Sequence, residues 1–193
     1  MKKTILVIFY TIFFLTYAFS DTKINPIYEG SPDAKIELII YESLTCGHCA
    51  DFHKNVYPDL KKNFIDKGFA KIEFRSFPLD MAALNASKIA HCKNDGKTDI
   101  LHFLFENQKK WAKGETIKEI NSNLNKLFST KKYELNTDKC IENKKIEDHI
   151  LESRIEAVKK FKINATPTLI INNEKFDKAI TFKNLKKVLE KLI

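Results

Sequence analysis

The sequence predicts an α/β fold in which a block of helices interrupts one sheet-forming domain, and three observations predict it. An apolar run at residues 36–41 is followed by Cys46-Gly47-His48-Cys49 and then by apolar residues at helical spacing. Residues 79–143 contain helix-like pieces and no convincing strand. Strand-like sequence returns at residues 167–171, so the elements run β-α-β, helices, and then β-β-α.

Residues 1–20 have the layout of a secretory signal peptide. A short positive start precedes residues 4–19, which carry no charge, and Ala18 and Ser20 are small residues suited to a cut before Asp21. The apolar run of about 16 residues is shorter than the ~20 that span a bilayer. We therefore expect cleavage rather than a membrane anchor, and an exported mature protein.

The composition fits a folded, exported protein. A hydrophobic fraction of 44% is enough for a packed core. Loss of the two lysines in residues 1–20 lowers the formal net charge from +8 to +6. The other lysines alternate with glutamates along helix-like segments, which is typical of a solvated surface, so we expect no nucleic-acid binding. Four cysteines in an exported chain indicate an oxidising compartment and paired thiols.

Hydrophobic spacing predicts the first elements in order. Residues 24–28 are a short strand or an extended arm, and residues 36–41 are a buried strand. After the cysteine pair, apolar residues recur every four positions as far as residue 64, with Pro58 expected to kink the helix. A second strand covers residues 72–77.

The later elements follow from the same spacing. Helix-like pieces cover residues 81–92, 99–111 and 117–128, and a longer helix covers residues 145–161. Asn172-Asn173 is a candidate hairpin turn, and an amphipathic helix ends the chain. In the long helix we expect these residues to face inward: Ile146, Ile150, Leu151, Ile155 and Val158.

Cys46 and Cys49 are three positions apart, close to one helical turn, so their sulfurs can meet. Thr45 stands where a helix cap is expected, which puts Cys46 in the first turn. A thiolate there faces unsatisfied N–H groups and the positive end of the helix dipole, and His48 adds another donor. The thiolate is the form that exchanges disulfides. A strand before the motif and a helix after it therefore predict redox catalysis.

Two other roles for the cysteine pair fit less well. A zinc site needs a second close pair of ligands, and His91 and Cys92, adjacent on a helix, point in different directions. A structural bridge across two residues is rare. The spacing of the histidines at positions 53, 91, 102 and 149 does not indicate a metal, so we expect ordinary surface or hydrogen-bonded side chains. We predict no metal and no cofactor.

The sequence resembles the thioredoxin superfamily, and DsbA-like proteins in particular. The matching segments are residues 36–41, Cys46-Gly47-His48-Cys49 and Ala165-Thr166-Pro167-Thr168. The resemblance implies a thioredoxin-like domain made of residues 21–78 and 145–193, with an inserted all-helical domain at residues 79–144.

The resemblance also implies roles for individual residues. Cys46 exchanges with substrate thiols, and Cys49 attacks the mixed disulfide to release substrate or to reseal the pair. Pro167 follows a cis bond and lies beside the active disulfide. The backbone of Thr166, together with Gly47, contacts an extended substrate peptide.

The function that the resemblance implies is a periplasmic thiol–disulfide oxidoreductase that donates its disulfide to reduced, unfolded exported proteins. A membrane quinone-linked oxidase would reoxidise it, and we expect a monomer. Gly47-His48 is more similar to protein disulfide isomerase, so the potential is expected to be less extreme. A disulfide isomerase or reductase of the same fold is the first alternative. A peptide-binding chaperone with incidental cysteines is the second.

Two positions depart from the best-known DsbA-like pattern, and the first is Gly47, where that pattern has proline. The buried acidic residue expected six positions before Cys46 is replaced by Ile40. Glu42, four positions before Cys46, is a candidate proton acceptor for Cys49. A solvated or capping glutamate is the alternative.

Cys92 and Cys140 both lie in the helical insertion, and we expect them to pair in an oxidising compartment. Closing a loop of about 49 residues would stabilise the fold by roughly 4 kcal/mol. Two buried free thiols and an accessory redox pair are the alternatives. A subset of DsbA-like proteins is similar in carrying a second bridge.

Overall fold

The structure is a computed structural model, and it describes residues 23–129, 133 and 135–193. The signal peptide predicted at residues 1–20 lies outside the described residues. A five-stranded sheet with the order β1-β3-β2-β4-β5 forms the centre. Its strands are β1 (Ile27–Glu29), β2 (Ile36–Glu42), β3 (Ala70–Ser76), β4 (Thr168–Ile171) and β5 (Glu174–Lys175).

The central strand β2 is paired on both sides. It runs parallel to β3 and antiparallel to β4, so Ile40 lies opposite Phe74 on one side and Leu169 on the other. β1 pairs antiparallel with β3, and β5 with β4. Apolar residues dominate β2 because helices cover both faces of the sheet at its centre. Its last residue, Glu42, is a buried exception.

Helices surround the sheet, and they fall into three groups. Those after β2 are α1 (Gly47–Asn55) and α2 (Tyr57–Leu60), followed by a π-helical turn (Lys61–Ile65). Those of the insertion are α3 (Met81–Ala90), α4 (Asp99–Glu106), α5 (Gln108–Trp111), α6 (Ile117–Phe128) and α7 (Thr137–Glu142). The last two are α8 (Lys144–Phe161) and α9 (Phe182–Leu189).

The helix predicted after the cysteine pair is divided near Pro58. α1 ends at Asn55, and Pro58 is the second residue of α2, where a missing N–H does least harm. The expected kink is therefore a break between two helices.

The helical block shares one core with the sheet. Between β3 and α8 the described residues form no strand, as predicted. Leu104 and Leu124 belong to the same buried apolar cluster as Ile40 of β2 and Phe52 of α1. The insertion thus packs directly on the helix that follows the cysteine pair. The residue boundaries of the two predicted domains stay a prediction.

α8 departs from its predicted face. Ile146 and Ile150 are buried, but Ile155 is 50% exposed and Val158 is 42% exposed, so the inward prediction for these two residues is wrong. The first half of α8 packs on Leu84, whereas the second half meets the sheet through a small residue, Ala157, which is fully buried. The helix changes neighbours along its length, and its inward stripe shifts with them.

The predicted hairpin turn is confirmed. Asn172 and Asn173 join β4 to β5 with φ angles of 46° and 68°, a left-handed conformation that asparagine tolerates well. No helix in the described part of the chain is both long and apolar enough to cross a bilayer.

Candidate active site

Cys46 is itself the N-cap of α1, so the prediction that Thr45 would cap this helix is wrong. The backbone of Cys46 is extended, and its carbonyl accepts a hydrogen bond from Ala50 N at 3.2 Å. The Thr45 hydroxyl instead donates to Asp80 Oδ2 at 2.7 Å, at the start of α3. Cys46 is still at the start of the helix, but its side chain makes no hydrogen bond to the N–H groups of the first turn.

The two sulfurs of the pair differ in exposure. Cys46 is half-buried and its thiol donates to the carbonyl of Thr166, with an S–O distance of 3.3 Å. Cys49 is fully buried one turn further along α1. Both are free thiols in this structure. An incoming thiolate can therefore reach Cys46 but not Cys49.

Cys49 is held in its neutral form. Burial, and after it the negative charge of Glu42, raises the pKa of the Cys49 thiol well above its usual range. The backbone of Ser43 and the hydroxyl of Thr166 lower this pKa by less. The Thr166 hydroxyl oxygen is buried and is not aligned for a hydrogen bond, so its effect on the sulfur is weak. A negative charge on the Cys49 sulfur is therefore costly, and the sulfur needs a proton donor when the disulfide opens.

The loop before β4 lies against the cysteine pair. The Thr166–Pro167 bond is cis, as the resemblance implies. Tyr41 lies opposite Thr168 in the sheet, which brings the loop alongside the segment that leads from β2 to Cys46. Thr166 and Pro167 are both partly exposed. The cysteine pair and the Thr166–Pro167 loop, which are far apart in the sequence, thus meet at one end of the sheet, as predicted.

A groove adjoins the pair on the side of α9. Gly47 and His48 are exposed, and no atom lies within 4 Å of the place where a Gly47 side chain would begin. The groove has a volume of about 610 Å³, with His48 and Pro167 at the end nearest the cysteines. Its apolar lining includes Phe52, Val56, Phe176 and Ile180.

Gln108 anchors the loop that carries Cys46. Its side-chain amide, at the start of α5, donates to the carbonyl oxygens of Leu44 at 2.8 Å and Cys46 at 3.0 Å. The sequence analysis missed this residue. Gln108 lies 62 positions after Cys46 in a different part of the fold, and no local pattern marks it.

Glu42 is neither solvated nor a helix cap. It ends β2, is 2% exposed, and accepts a hydrogen bond from His53 Nε2 to its Oε2 at 2.8 Å. Its other oxygen, Oε1, is buried with no hydrogen-bond partner. The prediction that His53 is an ordinary histidine missed this contact, since nothing in the spacing of the two residues indicates it.

Cys92 and Cys140 are joined by a disulfide, as expected. The bridge links the residues after α3 to α7, with 5.4 Å between the Cα atoms, and Cys140 is 1% exposed. The described residues contain no group of three or more His, Cys, Asp or Glu side chains arranged to hold a metal ion.

Fold and site together define a thioredoxin-fold protein with an accessible dithiol, a cis-proline loop against it and a helical insertion. The family model described as Thioredoxin matches residues 22–191. The chain therefore belongs to the thioredoxin family, and within it to the DsbA-like proteins. Its structure is similar to that of Wolbachia pipientis alpha-DsbA1, with a TM-score of 0.74 and 31% identity, covering 87% of this chain and 90% of the other.

Curated relatives extend the comparison. A Rickettsia bellii protein with the provisional name protein-disulfide oxidoreductase is 29% identical over 150 residues, which are 77% of this chain and 57% of the relative. Disulfide bond formation protein D of Bacillus subtilis is 26% identical over 167 residues, which are 84% of this chain and 74% of that protein. The chain thus spans little more than half the length of the Rickettsia relative.

Proposed function

We propose that this protein is a thiol–disulfide oxidoreductase that donates a Cys46–Cys49 disulfide to reduced, unfolded exported proteins. The observation that carries the proposal is the asymmetry of the pair. Cys46 is accessible at a helix start, and Cys49 is buried beside a carboxylate. The names of the relatives, which concern protein disulfides, support the same chemistry.

The exchange proceeds in two balanced steps. A substrate thiolate attacks the Cys46 sulfur, the bond between Cys46 and Cys49 breaks, and Cys49 leaves as a thiolate that takes up a proton. A second substrate thiolate then attacks the substrate sulfur of the mixed disulfide, and Cys46 leaves as a thiolate. The substrate loses two electrons, and the enzyme disulfide gains them and becomes a dithiol.

The surroundings of Cys46 suit an extended peptide. The carbonyl of Thr166 lies 3.3 Å from the Cys46 sulfur, where it can instead accept a hydrogen bond from a substrate backbone. Gly47 leaves open space above the pair, so a chain can approach closely. His48 and Pro167 lead into the apolar groove, which would hold side chains next to the substrate cysteine.

Glu42 is proposed as the proton acceptor and donor for Cys49. Its unpartnered oxygen is buried, and its charge raises the pKa of Cys49. In Glu42→Gln the side chain keeps its shape but no longer exchanges a proton. We expect proton loss from Cys49 to slow by roughly 10²-fold, the lower end for general acid–base groups. The rate at which Cys49 attacks a mixed disulfide between Cys46 and glutathione, followed by acid quench, reports this proton loss, and an unchanged rate would remove Glu42 from the mechanism.

The compartment and partners are part of the proposal. The Cys92–Cys140 bridge suits an oxidising compartment, which for a DsbA-like bacterial protein is the periplasm. Donating a disulfide leaves a dithiol, so turnover requires an oxidant, for which we propose a membrane quinone-linked oxidase. We propose that the protein acts as a monomer.

One experiment separates this function from its alternatives. The purified protein is equilibrated with glutathione buffers, and its oxidation of a reduced dithiol peptide is then followed. We expect a potential well above that of thioredoxin, about −270 mV, and fast oxidation of the peptide. A potential near −270 mV with faster disulfide reduction would assign a reductase. Peptide binding without exchange, retained in Cys46→Ser, would assign a chaperone.

A further inference from the structure

Four side chains from four separate elements form a continuous polar path behind the cysteine pair. Glu42 Oε2 lies 2.8 Å from His53 Nε2, and His53 Nδ1 lies 3.1 Å from His102 Nδ1. His102 Nε2 in turn lies 3.4 Å from Glu29 Oε1, an ion-pair distance without full hydrogen-bond alignment. The path joins β2, α1, α4 and β1. None of its contacts is a hydrogen bond to the loop that carries Cys46.

The inner end of the path lies on the face of α1 that carries Cys49, because His53, which is bonded to Glu42, comes four residues after Cys49 in this helix. Glu42 is almost fully buried and has one oxygen without a partner, whereas a stable buried carboxylate normally has both oxygens hydrogen-bonded. Its charge acts on the Cys49 sulfur. His53 is the group bonded to its other oxygen. Among the described side chains, His53 is therefore the hydrogen-bonded partner that can exchange a proton with Glu42 on the side away from Cys49.

The outer end of the path is an ionised carboxylate near solvent. Burial raises the pKa of Glu29, but the nearby His102 and hydrogen bonds from Thr98, Tyr57 and Lys61 together lower it well below its usual range. Lys61 Nζ lies 3.0 Å from Glu29 Oε2 and is 41% exposed. A carboxylate that stays negative here favours a proton on the nitrogen that faces it.

Aromatic rings hold the two histidines in place. The His53 ring stacks on Phe105 with centroids 4.1 Å apart, and the His102 ring stacks on Tyr57 at 4.8 Å. Both histidines line a cleft of about 820 Å³ that is separate from the substrate groove, although Asp51 lines both. The other titratable groups that face this cleft are Asp51, Lys54, Tyr57, Lys61, Glu106, Lys109 and Lys110.

We propose that His53 and His102 relay protons between solvent and the Glu42 carboxyl group, and so supply and remove the proton of Cys49. The inference rests on the proposed redox function of the cysteine pair. His53 and His102 are positioning and relay residues, because they act on the sulfur only through Glu42. The stacking of the two imidazole rings on Phe105 and Tyr57 keeps their nitrogens within hydrogen-bond distance of each other and of Glu42.

The relay is balanced atom by atom. When the disulfide opens, Cys49 is a thiolate, Glu42 is a carboxylate, and His102 carries a proton on each nitrogen. The proton on His102 Nδ1 moves to His53 Nδ1, and the proton on His53 Nε2 moves to Glu42. Rotation of the carboxyl group offers that proton to the Cys49 sulfur. Cys49 ends as a thiol, Glu42 as a carboxylate, His53 with its proton on Nδ1, and His102 as a neutral ring with its proton on Nε2. When the disulfide forms again, the same transfers run in reverse, and the proton of Cys49 returns to His102 and the cleft.

The test removes the outer histidine, because His53 lies inside the ring stack and its loss endangers the fold. His102→Phe keeps the ring and removes both nitrogens, and His102→Ala leaves space open to the cleft. The measurement is the rate at which glutathione opens the Cys46–Cys49 disulfide, read by quenched-flow alkylation. We expect both variants to be slower by at least about tenfold, since general acid–base steps contribute typically 10²–10⁴-fold.

Added imidazole distinguishes a relay from a structural role. It fits the space left in His102→Ala, and we expect the rate to rise in proportion to its concentration, with no such rise in His102→Phe. Pyrazole, a ring of the same size that scarcely accepts a proton at neutral pH, is the matched control and should restore nothing. His149→Gln, a histidine outside the path, is expected to keep the wild-type rate.

The outcomes also separate the relay from the proposed function. Disulfide opening by glutathione is measured whether the protein is an oxidase or a reductase, so failure of the oxidase proposal leaves this test intact. Wild-type rates in both His102 variants would overturn the relay. A slow rate that imidazole and pyrazole leave equally slow would assign His102 a structural role and overturn it as well.

Discussion

The two cysteine pairs of this protein differ in their spacing along the chain and in the polar groups that act on their sulfurs. Cys46 and Cys49 lie at a helix start, with one sulfur accessible and hydrogen-bonded to a peptide carbonyl. Cys92 and Cys140 are 48 positions apart and join two helices of the insertion. Cys49 and Cys140 belong to the same apolar core, but only the first pair has a carbonyl bonded to one sulfur and a carboxylate whose charge acts on the other.

The difference shows that environment decides what a cysteine pair does. A bond that is to be passed on needs one sulfur that partners can reach and groups that stabilise the thiolate it releases. A bond that is to persist needs burial and a long loop, because its benefit is the entropy it removes from the unfolded chain. The comparison predicts that mutation of the first pair changes the rate of disulfide exchange, whereas mutation of the second pair changes the free energy of unfolding.

The largest expected effect is the loss of exchange in Cys46→Ser. A serine hydroxyl is not a disulfide partner, so oxidation of a dithiol peptide should fall to the background rate while the melting temperature stays near that of the wild type. The matched control is the double variant Cys92→Ser with Cys140→Ser, assayed below its own melting temperature. It should oxidise the peptide at nearly the wild-type rate. Loss of exchange in the control would make the second pair part of the catalytic cycle.

The second prediction concerns stability. Replacing Cys92 and Cys140 by alanine should lower the free energy of unfolding by about 4 kcal/mol, because the unfolded chain regains the entropy of a long loop. Urea unfolding of the variant and the wild type, both in the absence of reductant, measures the difference. A loss under about 1 kcal/mol would show that the bridge adds little to the fold and would favour an accessory redox role.

The third prediction is a pH dependence beside the second pair. Burial, and then the proximity of His149, lowers the pKa of His91 to about 4 from 6.5. The unfolded chain therefore binds the proton first, and stability is complete above pH 6.5 and falls as the pH drops toward 4. The loss is at most about 3 kcal/mol. The charged groups near this pair include Lys23, Glu73, Arg75 and Glu152.

The test of the pH dependence replaces the titrating ring. His91→Phe keeps an aromatic side chain without a proton to gain, so its free energy of unfolding should fall less between pH 7 and pH 5 than that of the wild type. Glu29, whose pKa is lowered in the folded protein, also begins to reduce stability near pH 5, but it does so equally in both proteins and cancels in their difference. Equal slopes for the two proteins would remove His91 as the cause.

Local patterns predicted the parts of the molecule that depend on neighbouring residues in the chain. The strand before Cys46, the helix after it and the turn at Asn172-Asn173 all follow from spacing and turn chemistry within a few positions. The cysteine motif and Pro167 indicated the site because each is a short signature. The family match then agreed with the fold that these pieces implied.

Contacts between distant elements could not be predicted this way. His53 and His102 are 49 positions apart, and only the packing of α4 against α1 brings their rings together. Thr45 lost its expected role as a cap because Asp80, from α3, binds its hydroxyl. The apolar periodicity of α8 predicts one buried face along the whole helix. It does not show which elements pack against each half, and Ile155 is therefore predicted to be buried although it is exposed.

The smallest expected effect lies at the one hydrogen-bonded link described here between α5 and the loop of the active pair. Gln108→Ala removes two donors to the carbonyls of Leu44 and Cys46. The site is partly open to water, which can replace the donors, so we expect a loss of about 1 kcal/mol in stability. The Cys46 sulfur would also be held less firmly, and alkylation or peptide oxidation should change by about fivefold.

The matched control for this link is Asn123→Ala. Asn123 also donates from a side-chain amide of the insertion to a backbone carbonyl, that of Lys113 at 2.8 Å, but it does not contact the active loop. Both variants should lose similar stability, and only Gln108→Ala should change the rate of exchange at Cys46. Equal rates in the two variants would mean that the insertion stabilises the fold without positioning the reactive sulfur. A change in the exchange rate of Gln108→Ala alone would mean that the helical insertion, which contains the Cys92–Cys140 bridge, also positions the Cys46 sulfur.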